Sequence, residues 1–404
     1  MASPDVLDRI PRARGAMVSS LRDLCRIPAV GPDNGGTGEG EKAEHVRGLL
    51  KGLGLKVERF DPRDDRVPGK KRPNLVVRGG KGPRLWVLCH LDVVPPGDAS
   101  AWRCDPFAPT LVDGRLYGRG TEDNGQAIAA LLGAYRAILD AGEEPSRPFG
   151  FAFVADEETG SGKWAKFLLE SDVFGPKDVF LVPDRGASDG EEIEVAEKSL
   201  LWIRFTVRGR QAHASRPEMG VNALRAGAYL LTLLDANLPK RFPRSDGLFR
   251  PSTSTFEPTK KDANVPNVNT IPGDDVFYFD CRVLPSYATK EVLAAAQDLA
   301  GQAARTFGVR ASVDVLQDES SPPTPVNAPV VLELTKVLQK VRGVRARPVG
   351  IGGGTVAAPL RRKGYPVAVW ETTDQTAHGI DEYAKFDNLV GDAKVFATLL
   401  LGGA

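Results

Sequence analysis

Four histidines occur among 404 residues, and one of them ends an apolar run. The stretch "LWVLCHLD" carries His90 and, two positions on, Asp92. Residues i and i+2 of an extended strand share a face. The imidazole and the carboxylate therefore point the same way at a strand end, where α/β sheets place their ligands. A core histidine satisfied by a neighbouring acid has the same signature. His213 in "GRQAHASRP" and His378 in "DQTAHGIDE" lie in polar loops, whereas His45 sits on an ordinary helix and takes no role.

The carboxylates cluster as selectively. Asp123 in "GRGTEDNGQ" follows a glycine turn and begins a helix, where it serves either as a cap or as a ligand. The run "FGFAFVADEE" ends in Asp156, Glu157 and Glu158. Three acids at a buried strand end are costly unless something positive neutralises them, and no basic run faces them in sequence. A pair of divalent metals would do so. Asp184 ends "VFLVPD" in the same way. Histidine and carboxylate without thiolate suit zinc or a similar borderline metal. Two metals need about five or six ligands, one of them bridging. Of Glu157 and Glu158, one then coordinates and the other takes a proton from water.

Periodicity supplies the elements that must hold these residues. Residues 40–53 place Ala43, Val46, Leu49, Leu50 and Leu53 on one helical face. Strands are expected at "LKVERF", "NLVVRG" and "LWVLCHLD", followed by a helix through "GQAIAALLGAYRAILDAG". The strand "FGFAFVADEE", the helix "GKWAKFLLES" and the apolar run "DVFLVPD" come next. Strands alternating with helices, with near-continuous apolar runs, predict an α/β layer around a mostly parallel central sheet.

Near Lys198 the pattern changes to period two: Leu201, Ile203, Phe205 and Val207 alternate with Trp202, Arg204, Thr206 and Arg208. Beyond it a helix, two strands, a helix and a strand complete the order β-α-β-β-α-β of ferredoxin-like domains. We expect a discontinuous catalytic domain of residues 1–198 and 318–404, with residues 199–317 inserted into it.

Lys+Arg 53 against Asp+Glu 52 gives a formal charge of +1, which supplies no global field for nucleic acid or an anionic membrane. No run of about 18 apolar residues marks a membrane span. The first twenty residues lack the apolar core of a signal peptide. A cytoplasmic location is expected, with neither nucleic acid nor membrane as partner. Cys25, Cys89, Cys104 and Cys281 form no CxxC pair. Cys89 and Cys281 lie within apolar strand patterns, as buried reduced thiols do.

Taken together, "HLDVVPPGD", "WRCDPFAPTLVDGRLYGRGTEDN", "DEETGSG", "GRQAHASRPEMGVNA", "DCRVLP" and "AHGIDEY" resemble a zinc-dependent family. It comprises acetylornithine deacetylase, succinyl-diaminopimelate desuccinylase, aminoacylase, glutamate carboxypeptidase and related di- and tripeptidases. The likeness runs through nearly the whole chain in the same order, and the inserted domain matches the family's lid. It implies two Zn2+ per subunit, with Co2+ or Mn2+ as substitutes. His90, Asp123 and Asp184 would hold one ion; Asp123, Glu158 and His378 would hold the other, with Asp123 bridging. Asp92 would orient His90, Glu157 would be general base and then acid, and His213 would stabilise the oxyanion. Arg282 would pair with a substrate carboxylate, and Asn269, Gly354 and Thr355 would line the substrate site. The Asp123–Asn124 peptide would be cis.

The implied substrate is an N-acyl amino acid or short peptide with a free carboxylate, and the implied assembly is a homodimer through the lid. A dipeptidase or carboxypeptidase of the same family is the alternative. Two departures bear on the substrate. Gly125 and Gln126 stand where the family often has a lysine, and Val356, Ala357 and Ala358 follow a "GGT" loop that commonly continues to an aspartate. Aspartate at 184, where many of the deacylases have glutamate and several dipeptidases aspartate, leans toward peptides.

Two motifs point elsewhere. "GASDG", Gly186 to Gly190, matches GxSxG, which requires a strand, a sharp turn and a helix; "EEIEVAEKSLLWIRF" follows instead and turns into a strand. "GIGGGT" with Glu371 after the next strand mimics a dinucleotide fingerprint, the signature of an NAD-dependent dehydrogenase. It lacks the second half of a nucleotide fold.

Overall fold

The structure is a computed structural model that describes residues 4–403. The chain divides into two compact units. The larger runs up to Val195 and includes Thr324–Val349 and the chain from Thr355; the smaller is Ala196–Pro323 with Gly350–Gly354. The smaller unit begins before and ends beyond residues 199–317, and its last strand stays paired as far as Glu319 opposite Leu200.

The larger unit is built on an eight-stranded mixed sheet. Its order is Val57–Phe60, Asn74–Gly79, Phe149–Val154, Leu85–His90, Val179–Ala187, Val367–Thr372, Glu192–Glu197 and Arg347–Ile351. Four of these, Phe149–Val154, Leu85–His90, Val179–Ala187 and Val367–Thr372, run parallel side by side. Asn74–Gly79 joins them antiparallel on one side and Glu192–Glu197 on the other. The central strands are buried on both faces, as their unbroken apolar runs require. Trp86, Leu88, Val154 and Val182 pack with Trp164 and Leu360 on one face. On the other, Phe151 meets Tyr135 of the helix Gln126–Asp140, and Trp370 meets Phe396 of the helix Phe386–Leu400.

Parallel strands finish at the same edge. His90 lies opposite Val154, and Leu91 N–H donates to Val154 O at 2.8 Å. The chain leaving Val154 therefore delivers Asp156, Glu157 and Glu158 beside His90.

Two features escape the periodic reading. Residues 4–25 form helices, Pro4–Arg12 and Arg14–Cys25, whose buried Val6, Ile10, Met17, Leu21 and Leu24 keep helical spacing across Pro11 and Gly15. Thr110–Val112, Arg115–Tyr117 and Tyr383–Lys385 form a small antiparallel sheet. Three-residue strands offer too few positions to display a period.

In the smaller unit, Thr255–Lys261, Asp274–Val283, Ser199–Arg208 and Arg310–Glu319 make an antiparallel sheet in that order. Leu201, Ile203, Phe205 and Val207 are buried under the helices Ala223–Arg241 and Thr289–Phe307, whereas Trp202 is 39% exposed. Cys25, Cys89 and Cys281 are buried free thiols, and Cys104 is partly buried. Among the described residues no helix is long and apolar enough to cross a membrane.

Candidate metal centre

His90 closes its strand fully buried, with both ring nitrogens engaged. Nδ1 lies 3.0 Å from the backbone oxygen of Asp92. Nε2 lies 2.6 Å from Asp123 Oδ1 and 3.2 Å from Asp184 Oδ1. His378 stands on a loop after the last parallel strand, and its Nε2 is 3.1 Å from both Asp123 Oδ2 and Glu158 Oε2. Asp123 thus turns one oxygen to each imidazole. The Asp123–Asn124 peptide is cis, as the family resemblance implies.

Two groups of three emerge, each with ligand atoms within 4.8 Å of one another: His90, Asp123 and Asp184, and Asp123, Glu158 and His378. A third, His90, Glu157 and Glu158, overlaps them. Four carboxylates crowd around two imidazoles. Burial opposes a charge on His90, but Asp123, Asp184 and Asp92 outweigh it and hold the ring well above its ordinary pKa. Hydrogen bonds to Asp123 and Glu158 push His378 up to about 10. Burial would raise Asp123, but the two imidazoles dominate and hold it well below the usual carboxylate range. Burial raises Glu157, reinforced by Asp184. Burial and Asp123 raise Glu158.

The carboxylates favour positive charge at both imidazoles, and bound cations would supply it. Glu158 Oε1 is buried with no hydrogen-bond partner among the described residues. A lone pair withheld from both water and protein donors is costly unless a ligand uses it. Two imidazoles, three carboxylates and no thiolate are a suitable donor set for divalent ions such as zinc.

Two acids pin the loop bearing Glu157 and Glu158, Asp92 from outside it and Asp156 from within. Asp92 accepts hydrogen bonds from the backbone N–H groups of Glu157 (3.1 Å) and Glu158 (3.0 Å). Asp92 therefore meets His90 chiefly through its backbone oxygen, and its carboxylate holds the neighbouring loop. Asp156, at φ +70°, turns the chain and accepts from Thr159 Oγ1 (2.6 Å) and Lys163 N–H (2.9 Å).

Sequence reasoning missed Glu382. This fully buried acid accepts from Arg119 Nη1 at 2.6 Å and from the N–H groups of Gly120, Glu122 and Asp123 at 2.9–3.1 Å. It shapes the turn that presents Asp123, with Gly120 at φ +77° supplying the left-handed step. The signal was an acid four positions after His378 in "HGIDE", which reads as a surface charge until its burial is known.

The remaining candidates lie elsewhere in the chain. His213 and Asn269 belong to the smaller unit and are exposed. They are neighbours: His213 pairs with Thr270 in a short ladder, and Ala214 N–H donates to Asn269 O at 2.8 Å. Arg282, also in the smaller unit, spends Nε and Nη2 on Asp280 (2.7 and 2.9 Å) and Nη1 on Gly352 O (2.8 Å). Gly354 is exposed in the glycine loop, and Thr355 Oγ1 accepts from Ala357 N–H at 3.1 Å. Ser188 follows a strand and leads through a turn into Glu192–Glu197, so the helix that GxSxG chemistry needs is missing. Glu371 is fully buried, out of reach of a ribose.

The model of the peptidase family M20/M25/M40 matches residues 86–402, a span containing every residue of both triads. The chain belongs to this family. An uncharacterized metallohydrolase of Methanocaldococcus jannaschii is 38% identical over 401 residues, covering 94% of this chain and 97% of that protein. The succinyl-diaminopimelate desuccinylase of Rhodospirillum centenum is 27% identical over 390 residues, covering 95% and 96%. A Staphylococcus aureus tripeptidase structure superposes with a TM-score of 0.77 at 20% identity, covering 96% of this chain and 98% of the other, and shares the fold. The protein is thus an M20 metallohydrolase, an enzyme that uses divalent metal to hydrolyse amide or peptide bonds.

Proposed function

We propose that the chain is a two-metal amidohydrolase acting on an N-acyl amino acid or short peptide that carries a free carboxylate. The observation that supports it best is the pair of triads sharing Asp123. His90, Asp123 and Asp184 would hold one Zn2+, and Asp123, Glu158 and His378 the other. Such ions, when bound, polarise a carbonyl oxygen and lower the pKa of water. Glu157 reaches the same cluster without being needed in either triad. Its raised pKa suits a group that takes a proton from water and returns it to the leaving amine.

The smaller unit would act as lid and dimerisation domain of a cytoplasmic homodimer. Its His213 would donate to the oxyanion, with Asn269, Gly354 and Thr355 lining the substrate. Recognition of a substrate carboxylate by Arg282 requires its pair with Asp280 to open. The desuccinylase activity of the Rhodospirillum relative favours N-acyl substrates, and cleavage of dipeptides is the second reading. Acetyl-, succinyl- and formyl-amino acids should be assayed beside a dipeptide panel with zinc, cobalt or manganese. Hydrolysis of an N-acyl series is expected; cleavage of dipeptides alone would replace it with the second reading.

A further inference from the structure

Glu122 stands immediately before the shared Asp123 and is only 2% exposed. Its carboxylate is turned to the loop that precedes His378. Oε1 accepts from Asp374 N–H at 2.6 Å. Oε2 accepts from Ala377 N–H (2.9 Å), Thr376 Oγ1 (2.9 Å) and Thr376 N–H. One side chain thus takes four donors from three residues, the last adjoining His378. His378 needs that support: its backbone is left-handed (φ +64°), and its side chain is 56% exposed. The grip is reciprocal. Glu382, from beyond His378, holds the N–H groups of the Asp123 turn, while Arg119 donates to His378 O at 3.3 Å.

We propose that Glu122 is the positioning residue for His378, and that it controls the Asp123–Glu158–His378 metal position without controlling the other. Selectivity follows from the division of contacts. The backbone of Asp123 is held by Glu382, not by the Glu122 side chain. His90 and Asp184 are carried by strands. Removing the Glu122 carboxylate frees only the His378 loop. A residue that merely satisfied buried donors would, when removed, lower stability with no preference between the two positions. The inference rests on the two-metal reading.

The test is a Co2+ titration of the full metal-free chain, followed by visible absorption, alongside amide hydrogen exchange of the same metal-free proteins. The wild type should take up two equivalents. Glu122→Ala should bind the first equivalent unchanged and the second about 10–100-fold more weakly, the usual cost of losing a residue that orients a ligand. Amides 374–378 should lose protection while those of 120–123 keep it. Glu122→Gln retains one oxygen for the donors at Oε2 but opposes an NH2 to Asp374 N–H, so it should fall between the two. If Glu122→Ala does not fold, Glu122→Gln decides. Equal weakening of both equivalents, or of neither, overturns the proposal. A wild type that binds one equivalent would refute the two-metal reading instead. The exchange measurement still judges the positioning role, and unchanged protection at 374–378 would refute it.

Discussion

Glu157 and Glu158 are neighbours with different surroundings, in keeping with the proposed general base and metal ligand. Glu158 shares His378 with Asp123, whereas Glu157 is raised by its burial and Asp184, opposed by His90, with no imidazole hydrogen-bonded to it among the described residues. Glu157→Gln should keep metal content and fold but lose roughly 100-fold or more in kcat, the scale of a lost general base. Glu158→Gln should lose metal. Metal analysis beside kcat separates the two, and reversed phenotypes would exchange the roles. The imidazoles add a pH dependence. His378, raised to about 10, is protonated near neutrality in the metal-free chain, and the carboxylates around His90 raise its pKa as well. A raised imidazole pKa stabilises the metal-free fold below the ordinary value, and this contribution is lost as pH rises through about 10 for His378. Only the neutral ring ligates, so metal uptake at neutral pH must expel protons and strengthen as pH rises. Calorimetry in buffers of different ionisation enthalpy should count at least one proton released for the ion that His378 ligates; a count of zero contradicts the protonated resting site.

The strand-to-helix loop after Val154 rests on buried ions. Arg72, with no exposed surface, donates to Glu39 at 2.6 Å and lies 3.4 Å from Asp156 and 3.5 Å from Asp64. Removing one partner of a buried ion pair leaves the others uncompensated, at a cost of about 3–5 kcal/mol. Arg72→Met should therefore lower the unfolding temperature by roughly 10 °C, taking ~2–4 °C per kcal/mol for a domain of this size. It should also weaken metal binding by loosening the turn at Asp156. A melting temperature within about 2 °C of wild type would mean that Arg72 does not support this loop. The contrast with the ligands explains what the sequence could and could not reveal. His90, Glu158 and Asp184 are legible because each is a polar residue ending an apolar run, and a strand end is a local pattern. The alternation from Leu201 to Val207 likewise marks a one-sided sheet. Arg72, Glu122 and Glu382 adjoin other charges in mixed segments, and their partners Glu39, the Asp374 amide and Arg119 lie 33, 252 and 263 residues away. Nothing local distinguishes them from surface charges, and only burial does. Arg282 differs again: its nearest acid, Asp280, is two residues away on the same strand face, a pairing the motif does not announce.

At the scale of the molecule, three of the exposed apolar groups of the smaller unit lie on its sheet. Trp202 is 39% exposed, and Val315 and Leu316 on the outer strand Arg310–Glu319 are 41% and 51% exposed. An outer strand with free backbone groups and apolar side chains invites pairing with another chain. Pairing two such units would form the expected homodimer and let His213 of one subunit close over the metals of its partner, a donor supplied only on closure. His213 is exposed, and among the described residues its ring bonds only to Ser215, with Nδ1 2.8 Å from Oγ. Two inactive variants test the shared site. His213→Ala supplies an intact Glu157, and Glu157→Gln supplies an intact His213. Equal mixing with full subunit exchange makes half of all dimers mixed, and each mixed dimer contains one complete site, so about a quarter of all sites should recover activity. Recovery must appear on the timescale of exchange and be absent when exchange is blocked by cross-linking each variant beforehand. Absence of recovery after proven exchange, or full activity in a dilute monomer, would place the oxyanion donor within a single chain.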